Sequence, residues 1–474
     1  MANEALVRAG GRIESGVLGC ECCAFPVVAG IPVMIADDTT RDAMHALEAG
    51  RREEALFTLL GLGDARADVF RAFLARGAQA TYRDALAILS RDAEGTCFAY
   101  RFSDPTYVMA EALLQAIGQQ PWIAAGRSLD LCGGSGHLTR VLAGLRSAAG
   151  APLPSTVLAD LFFWKLWLAT CFTSPGCEPM CCDANQPLPF TRDTFSLVML
   201  SDAFPYIWHK RLLADEMMRL AGPDGVVVLP HLHSALGENF SAGNSLTPAA
   251  YRDLFASQQP RLFSDERLLT QVLEHRLVDL THDASPAELG AEPSLTLVAS
   301  QRADLFRRYE LPAARGVAGE LRVNPLYRVE RRGGSSILTL TFPTPEYEEE
   351  FGACRRYLPD TVTVEADLSG TILPATLGSA YEELRRRRIV IDAPRTTADA
   401  CAEPERPEAR MPENAGALDS VNQGAIRAVT AAYASAALAG DVEAPPEHLE
   451  FGSTAPIGLR LLANRSLSSR RELK

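Results

Sequence analysis

The chain has 474 residues, more than one domain usually holds, and its 47% apolar and 22% charged content is ordinary for a globular protein. A formal net charge of −13 argues against a broad phosphate-binding face, so nucleic acid is not the expected partner. No run approaches the ~20 apolar residues of a membrane helix. The start Met-Ala-Asn-Glu-Ala-Leu-Val-Arg carries no apolar signal region, and 11 cysteines without such a signal read as reduced thiols in a cytoplasmic protein that engages no membrane.

Residues 1–38 contain Gly16-Val-Leu-Gly-Cys20-Glu-Cys22-Cys23-Ala-Phe-Pro26 and the turn Gly30-Ile31-Pro32. Alternation and turn together predict a small β unit. Through Gly16, Leu18, Cys20, Cys23, Pro26, Gly30, Ile31 and Pro32 this stretch resembles the zinc-ribbon-type domain found as an activator subunit of some methyltransferases. A structural zinc site takes four ligands, usually as two pairs; only the pair Cys20 and Cys23 is present, with Cys22 between, and no metal ligand is assigned. Residues 39–94 read as a helical linker layer. Ala43, Leu47, Ala55, Leu56, Leu59 and Leu60 make an apolar face from Thr40 to about Gly61, and a second helical region from Val69 to Leu89 breaks near Gly77. Asp104 and Pro105 are a cap and first-turn signal for a helix reaching Ile117.

Ser128-Leu-Asp130-Leu-Cys132-Gly133-Gly134-Ser-Gly136-His137 reads as a strand end, a glycine-rich turn and a helix start, with Leu138, Val141, Leu142 and Leu145 at helical spacing. No Gly-Lys-Ser/Thr follows, and no third glycine completes a dinucleotide fingerprint, so neither nucleotide motif applies. Further strands are predicted at Ser155–Asp160, around Glu178–Asp183, at Phe195–Asp202, at Val226–Pro230 and at Ser294–Ser300.

In order and spacing, residues 95–301 resemble the class I S-adenosylmethionine-dependent methyltransferases. The resemblance implies an α/β fold with a Rossmann-like methyltransferase sheet and helices on both faces. It also implies S-adenosyl-L-methionine as cofactor. Asp130 then corresponds to the acid that holds the methionine ammonium, with Gly133, Gly134 and Gly136 letting the backbone run beside the cofactor. Asp160 corresponds to the ribose-binding acid, followed by Leu161, and Asp183 with the Ala184 N–H to the adenine contacts. Leu200 and Ser201 lie under the methionine portion, and Tyr100 and Arg101 close over its end. Cys132 stands where this family often has glycine.

Methyl transfer is an in-line displacement that needs a held and often deprotonated acceptor. His231 and His233 are the first candidates for that proton transfer and His209 the third, with Phe204, Tyr206 and Trp208 as an aromatic wall. Gly237–Pro248 reads as a substrate lid. Cys171, Cys177, Cys181 and Cys182 read as a buried thiol set. Residues 318–394 read as a separate α+β unit whose helix ends in Arg385–Arg388, and 395–474 as linker, helix and tail. The resulting expectation is a methyltransferase acting on O or N of a small molecule, possible in secondary metabolism and as a homodimer. A protein, peptide or tRNA acceptor, and a protein that binds the cofactor without methylating, are the rival readings.

Overall fold

A computed structural model describes residues 6–9, 12–19, 23–90, 94–147, 156–238, 243–313, 317–368 and 372–394. The expectations for Cys20 and Cys22 and for 395–474 lie outside the described residues.

The centre is a seven-stranded sheet. Its strands are β1 (Ser128–Leu131), β2 (Thr156–Asp160), β3 (Glu178–Cys181), β4 (Leu197–Met199), β5 (Val226–His233), β6 (Pro260–Ser264) and β7 (Ser294–Ala299). The order across the sheet is β6-β7-β5-β4-β1-β2-β3. Neighbours from β5 to β3 run parallel, and β7 alone is reversed, pairing antiparallel with both β5 and β6. This is a doubly wound, Rossmann-like α/β sheet. The sequence signals β1 to β5 and β7 but not β6, a short edge strand opening on Pro260, whose missing N–H suits an edge.

Alternating side chains feed two layers. Leu197, Met199, Val226 and Val228 face one core, shared with helices α1 (Pro105–Ile117) and α2 (His137–Ser147). Leu129, Leu131, Val198, Leu200, Val227 and Leu229 face the other, against α3 (Lys210–Ala221). Both faces are covered, which is why these strands read as near-continuous apolar runs.

A four-stranded antiparallel sheet is built from Val7–Ala9, Arg12–Gly19, Ala24–Val28 and Ile31–Pro32. It joins the central sheet at its β3 edge, where Val33 bridges Cys181 in parallel and the Met34 N–H donates to the Cys181 carbonyl at 2.7 Å. Four helices follow, Asp38–Glu48, Arg52–Leu60, Asp64–Leu74 and Tyr82–Leu89. Their Phe70 and Phe73 pack with Trp167 and Phe172 over β2.

Residues 317–394 carry a three-stranded antiparallel sheet, Tyr327–Arg332, Ser335–Leu340 and Thr361–Val364, and a strand pair, Glu320–Val323 with Val390–Ala393. Leu321, Leu338, Tyr347, Tyr357 and Ile391 belong to the same apolar core as α1 and α2. Asp104 stands at the N-cap of α1, but its side chain makes no cap bond; it accepts from Tyr347 Oη at 2.8 Å and pairs with Arg101 instead. Arg388 is not at a solvated helix end: it pairs with Glu111 of α1 and lies over the Tyr107 ring. Cys177, Cys181 and Cys182 are buried free thiols, whereas Cys171 is disulfide-bonded, which corrects the expectation of uniformly reduced thiols. No helix among the described residues is long and apolar enough to cross a membrane.

Candidate active site

From β1 the chain winds one way through β2 and β3, and from β4 the other way to β5. Open α/β sheets bind ligands outside the carboxyl ends of the strands at such a switch point. The glycine turn follows β1 there. Gly134 and Gly136 have φ of 57° and 79°, the left-handed region that favours glycine. Cys132 has φ 55°, so the position often filled by glycine in the resembled family is one where glycine would be unstrained. A Cβ on Gly133 would lie 2.6 Å from Asp130 Cγ, so the turn closes directly over that carboxyl group.

Three acids end at or near this turn. Asp130 is sealed beneath it, and its Oδ2 accepts from Thr139 Oγ1 at 2.6 Å. Burial raises its pKa to about 7. Asp160, at the end of β2, accepts the Gly134 N–H at 2.9 Å and the Phe162 N–H at 2.8 Å, tying the β2 end to the turn. Leu161 is exposed beside it. Asp183, just past β3, accepts from the Asn185 backbone and side-chain nitrogens. Asn185 Oδ1 in turn accepts the Trp208 N–H at 2.7 Å, joining the loop after β3 to the loop after β4. Ala184 and Leu200 are buried and Ser201 is half-buried.

The segment before α1 packs onto the turn. Phe98 stacks on His137 with ring centroids 5.9 Å apart and would lie 3.1 Å from a Cβ on Gly134. His137 is buried against Tyr82, Phe98 and Phe102, and burial together with nearby Arg101 and Arg140 lowers its pKa to about 3. Arg101 reaches across to Asp202 after β4. Tyr100 instead turns to the C-terminal region, 5.5 Å from the Tyr347 ring and under the Arg83 guanidinium.

Solved structures similar to this chain include S-adenosylmethionine-dependent methyltransferases. One from Mesorhizobium loti is 14% identical, covers 39% of this chain and 94% of its own, and has a TM-score of 0.29. One from Thermotoga maritima is 13% identical, with 44% and 94% covered and a TM-score of 0.28. A complex between a methyltransferase activator and a methyltransferase from Haloferax volcanii matches at 17% identity, 44% and 92% coverage and a TM-score of 0.31. No family model matches the chain, and a search of curated proteins found no match.

The second half of the site lies at the ends of β4 and β5. Between Leu229 and Leu232 the β5 strand carries one residue more than β7 opposite, a bulge that contains His231. His231 and Asp202 have φ of 59° and 58°, an uncommon, strained backbone for residues with side chains. The two imidazole centroids are 4.7 Å apart. His231 Nδ1 is 3.0 Å from Asp265 Oδ2, and Asp265 Oδ1 accepts from Thr296 Oγ1 at 2.7 Å. His233 Nε2 is 3.1 Å from Asp202 Oδ1, while Asp202 Oδ2 accepts from Arg101 Nη2 at 3.3 Å. His233 Nδ1 is buried with no hydrogen-bond partner.

The electrostatics of this cluster are mutually reinforcing. Burial alone would raise the Asp202 pKa, but the His233 hydrogen bond and the charges of His231 and Arg101 hold it well below the usual carboxylate range. Burial alone would lower that of His231, but Asp265 and Asp202 outweigh it and raise it.

Of the three histidines singled out in the sequence, the fold brings His231 and His233 together. His209 is exposed at the start of α3, where its backbone N–H donates to Asn185, and it stands outside the cluster. Phe204 is fully buried against Tyr251 and Phe255, so it is core rather than wall, whereas Tyr206 and Trp208 are exposed. Sequence reasoning missed Asp202 and Asp265 as members of the site. Asp202 was visible as the acid just past a strand end. Asp265 lies in the helix α4 (Asp265–Thr270) after the unsignalled strand β6, and no local pattern marks it.

Proposed function

We propose that the chain is an S-adenosylmethionine-dependent methyltransferase acting on an oxygen or nitrogen atom of a small molecule. The observation that carries this reading is the left-handed glycine turn after β1, closed by Asp160 and set where the sheet order reverses. Gly134 and Gly136 let a ligand lie against backbone, Asp160 and Asp183 offer carboxylates toward ribose hydroxyls and an adenine amino group, and Asp130, sealed beneath the turn, braces it through Thr139 rather than meeting the ligand directly. The bound cofactor supplies an electrophilic methyl group. The chain holds the acceptor in line with it over the ends of β4 and β5. His231, His233 and Asp202 sit where the acceptor must lose its proton. The exposed rings of Tyr206 and Trp208 near the crevice, and the acidic net charge, favour a small planar or apolar acceptor over a polyanion.

Calorimetric titration with S-adenosylmethionine and S-adenosylhomocysteine tests the reading. The wild type is expected to bind both at micromolar concentration, and Asp160→Ala to bind at least ten-fold more weakly. A folded wild type that releases no binding heat with either compound removes it.

A further inference from the structure

We propose that Asp202, His231 and His233 form a binding site for a divalent transition-metal cation. One ligand atom from each residue lies within 4.8 Å of the other two. Two imidazoles and one carboxylate are a donor set suited to zinc, iron(II), cobalt(II) or manganese(II), and too nitrogen-rich for magnesium or calcium. Metal–nitrogen and metal–oxygen bonds of about 2.0–2.2 Å place neighbouring ligands about 2.8–3.6 Å apart. The His233 Nε2 to Asp202 Oδ1 separation of 3.1 Å is already in that window.

The surroundings are arranged as support for such ligands. His231 holds its Nδ1 against Asp265, which leaves Nε2 as the coordinating nitrogen, and Asp265 is itself fixed by Thr296. A carboxylate behind a histidine is the usual way a protein orients a metal-binding imidazole. Arg101 holds Asp202 through Oδ2, so a cation would take Oδ1 and replace its hydrogen bond to His233 Nε2. The Arg101 charge opposes a cation, but Asp104 pairs with Arg101 and Asp265 adds a further carboxylate beside the site. Asp202 and His231 both have left-handed backbones, His231 within the β5 bulge and Asp202 in the loop after β4. His233 Nδ1, the nitrogen opposite the one that faces Asp202, is buried without a hydrogen-bond partner.

Three protein ligands leave coordination positions open, the pattern of reactive rather than structural sites. A hydroxyl-bearing acceptor bound at an open position would ionise more readily. That last consequence rests on the methyltransferase reading, whereas cation binding itself does not.

The experiment is cobalt(II) titration of the metal-stripped full-length chain, followed by absorption spectroscopy and zinc competition. One equivalent is expected to bind with d–d bands and without a thiolate-to-cobalt charge-transfer band, and zinc should displace it. The thiolate band separates this site from any cysteine site. His231→Asn, chosen because asparagine tolerates the left-handed backbone, is expected to weaken binding at least 100-fold, and Asp265→Asn about 10-fold or more. S-adenosylmethionine titration of His231→Asn reports separately on the cofactor site and on folding. Wild type that takes up no cobalt, or uptake that is equal in wild type and His231→Asn, overturns the proposal and leaves two histidine–carboxylate hydrogen bonds in its place.

Discussion

Asp130 shows how one buried side chain couples the glycine turn to pH. Its unfolded pKa is about 3.9, and burial beneath Gly133 raises the folded value to about 7. A carboxyl group raised in this way favours the folded state fully below about pH 4. That contribution is lost as pH rises towards and through about 7. Asp130→Asn keeps an oxygen for the Thr139 hydroxyl and has no proton to lose. Without cofactor, the variant is expected to be the more stable form at pH 8, with the difference in Tm from wild type shrinking towards pH 5. A difference that stays constant across that range would contradict the burial argument.

The glycine turn is legible in the sequence because its conformations exclude most other residues. At Gly136, φ is 79° and a Cβ would lie 2.9 Å from the Ala169 Cβ. Gly136→Ala is therefore expected to cost about 1–3 kcal/mol, read from the urea midpoint at unchanged m. Adding Ala169→Gly should recover the contact part of that loss and leave the conformational part. Four of the five parallel strands were equally legible, since strands covered on both faces need continuous apolar runs, whereas the edge strand β3, opening on Glu178, lacks such a run. The bulge that contains His231 was not legible. It depends on the register of β5 against β7, which pair across more than 60 residues of chain, and nothing in the Val226–His233 stretch records its partner. Two residues apart on an extended strand, His231 and His233 would share one face, and the bulge is what sets them against Asp265 and Asp202.

At the scale of the molecule, the C-terminal region is part of the central core. Tyr347 donates to buried Asp104, Tyr357 donates to the Ser103 carbonyl, Ser103 bonds Asn324 at 2.9 Å, and Arg140 of α2 pairs with Asp392 at 2.8 Å. Two folding units with one continuous apolar core should unfold together. Urea denaturation followed by fluorescence and by far-ultraviolet circular dichroism is expected to give one coincident transition. Two separated transitions would show that the C-terminal region folds on its own. Tyr347→Phe leaves Asp104 with one donor fewer in a buried setting and is expected to lower stability by about 1–3 kcal/mol. The arginine run before β-strand Val390–Ala393 reads as a solvated helix end from local sequence, because charge alone cannot report that Arg388 will meet Glu111 almost 280 residues earlier.

The sequence by itself determined what depends on neighbours along the chain: the apolar strands, the glycine turn at 133–136, the acids at strand ends and the helix start at Pro105. Each follows from backbone sterics and burial within a few residues. Only the tertiary structure decided which of these acids and histidines meet. Asp202, His231, His233 and Asp265 come from two strand ends and a helix and are assembled by sheet order, register and one bulge. Those are long-range pairings, and their free energy is spread over the whole sheet rather than written at any one position.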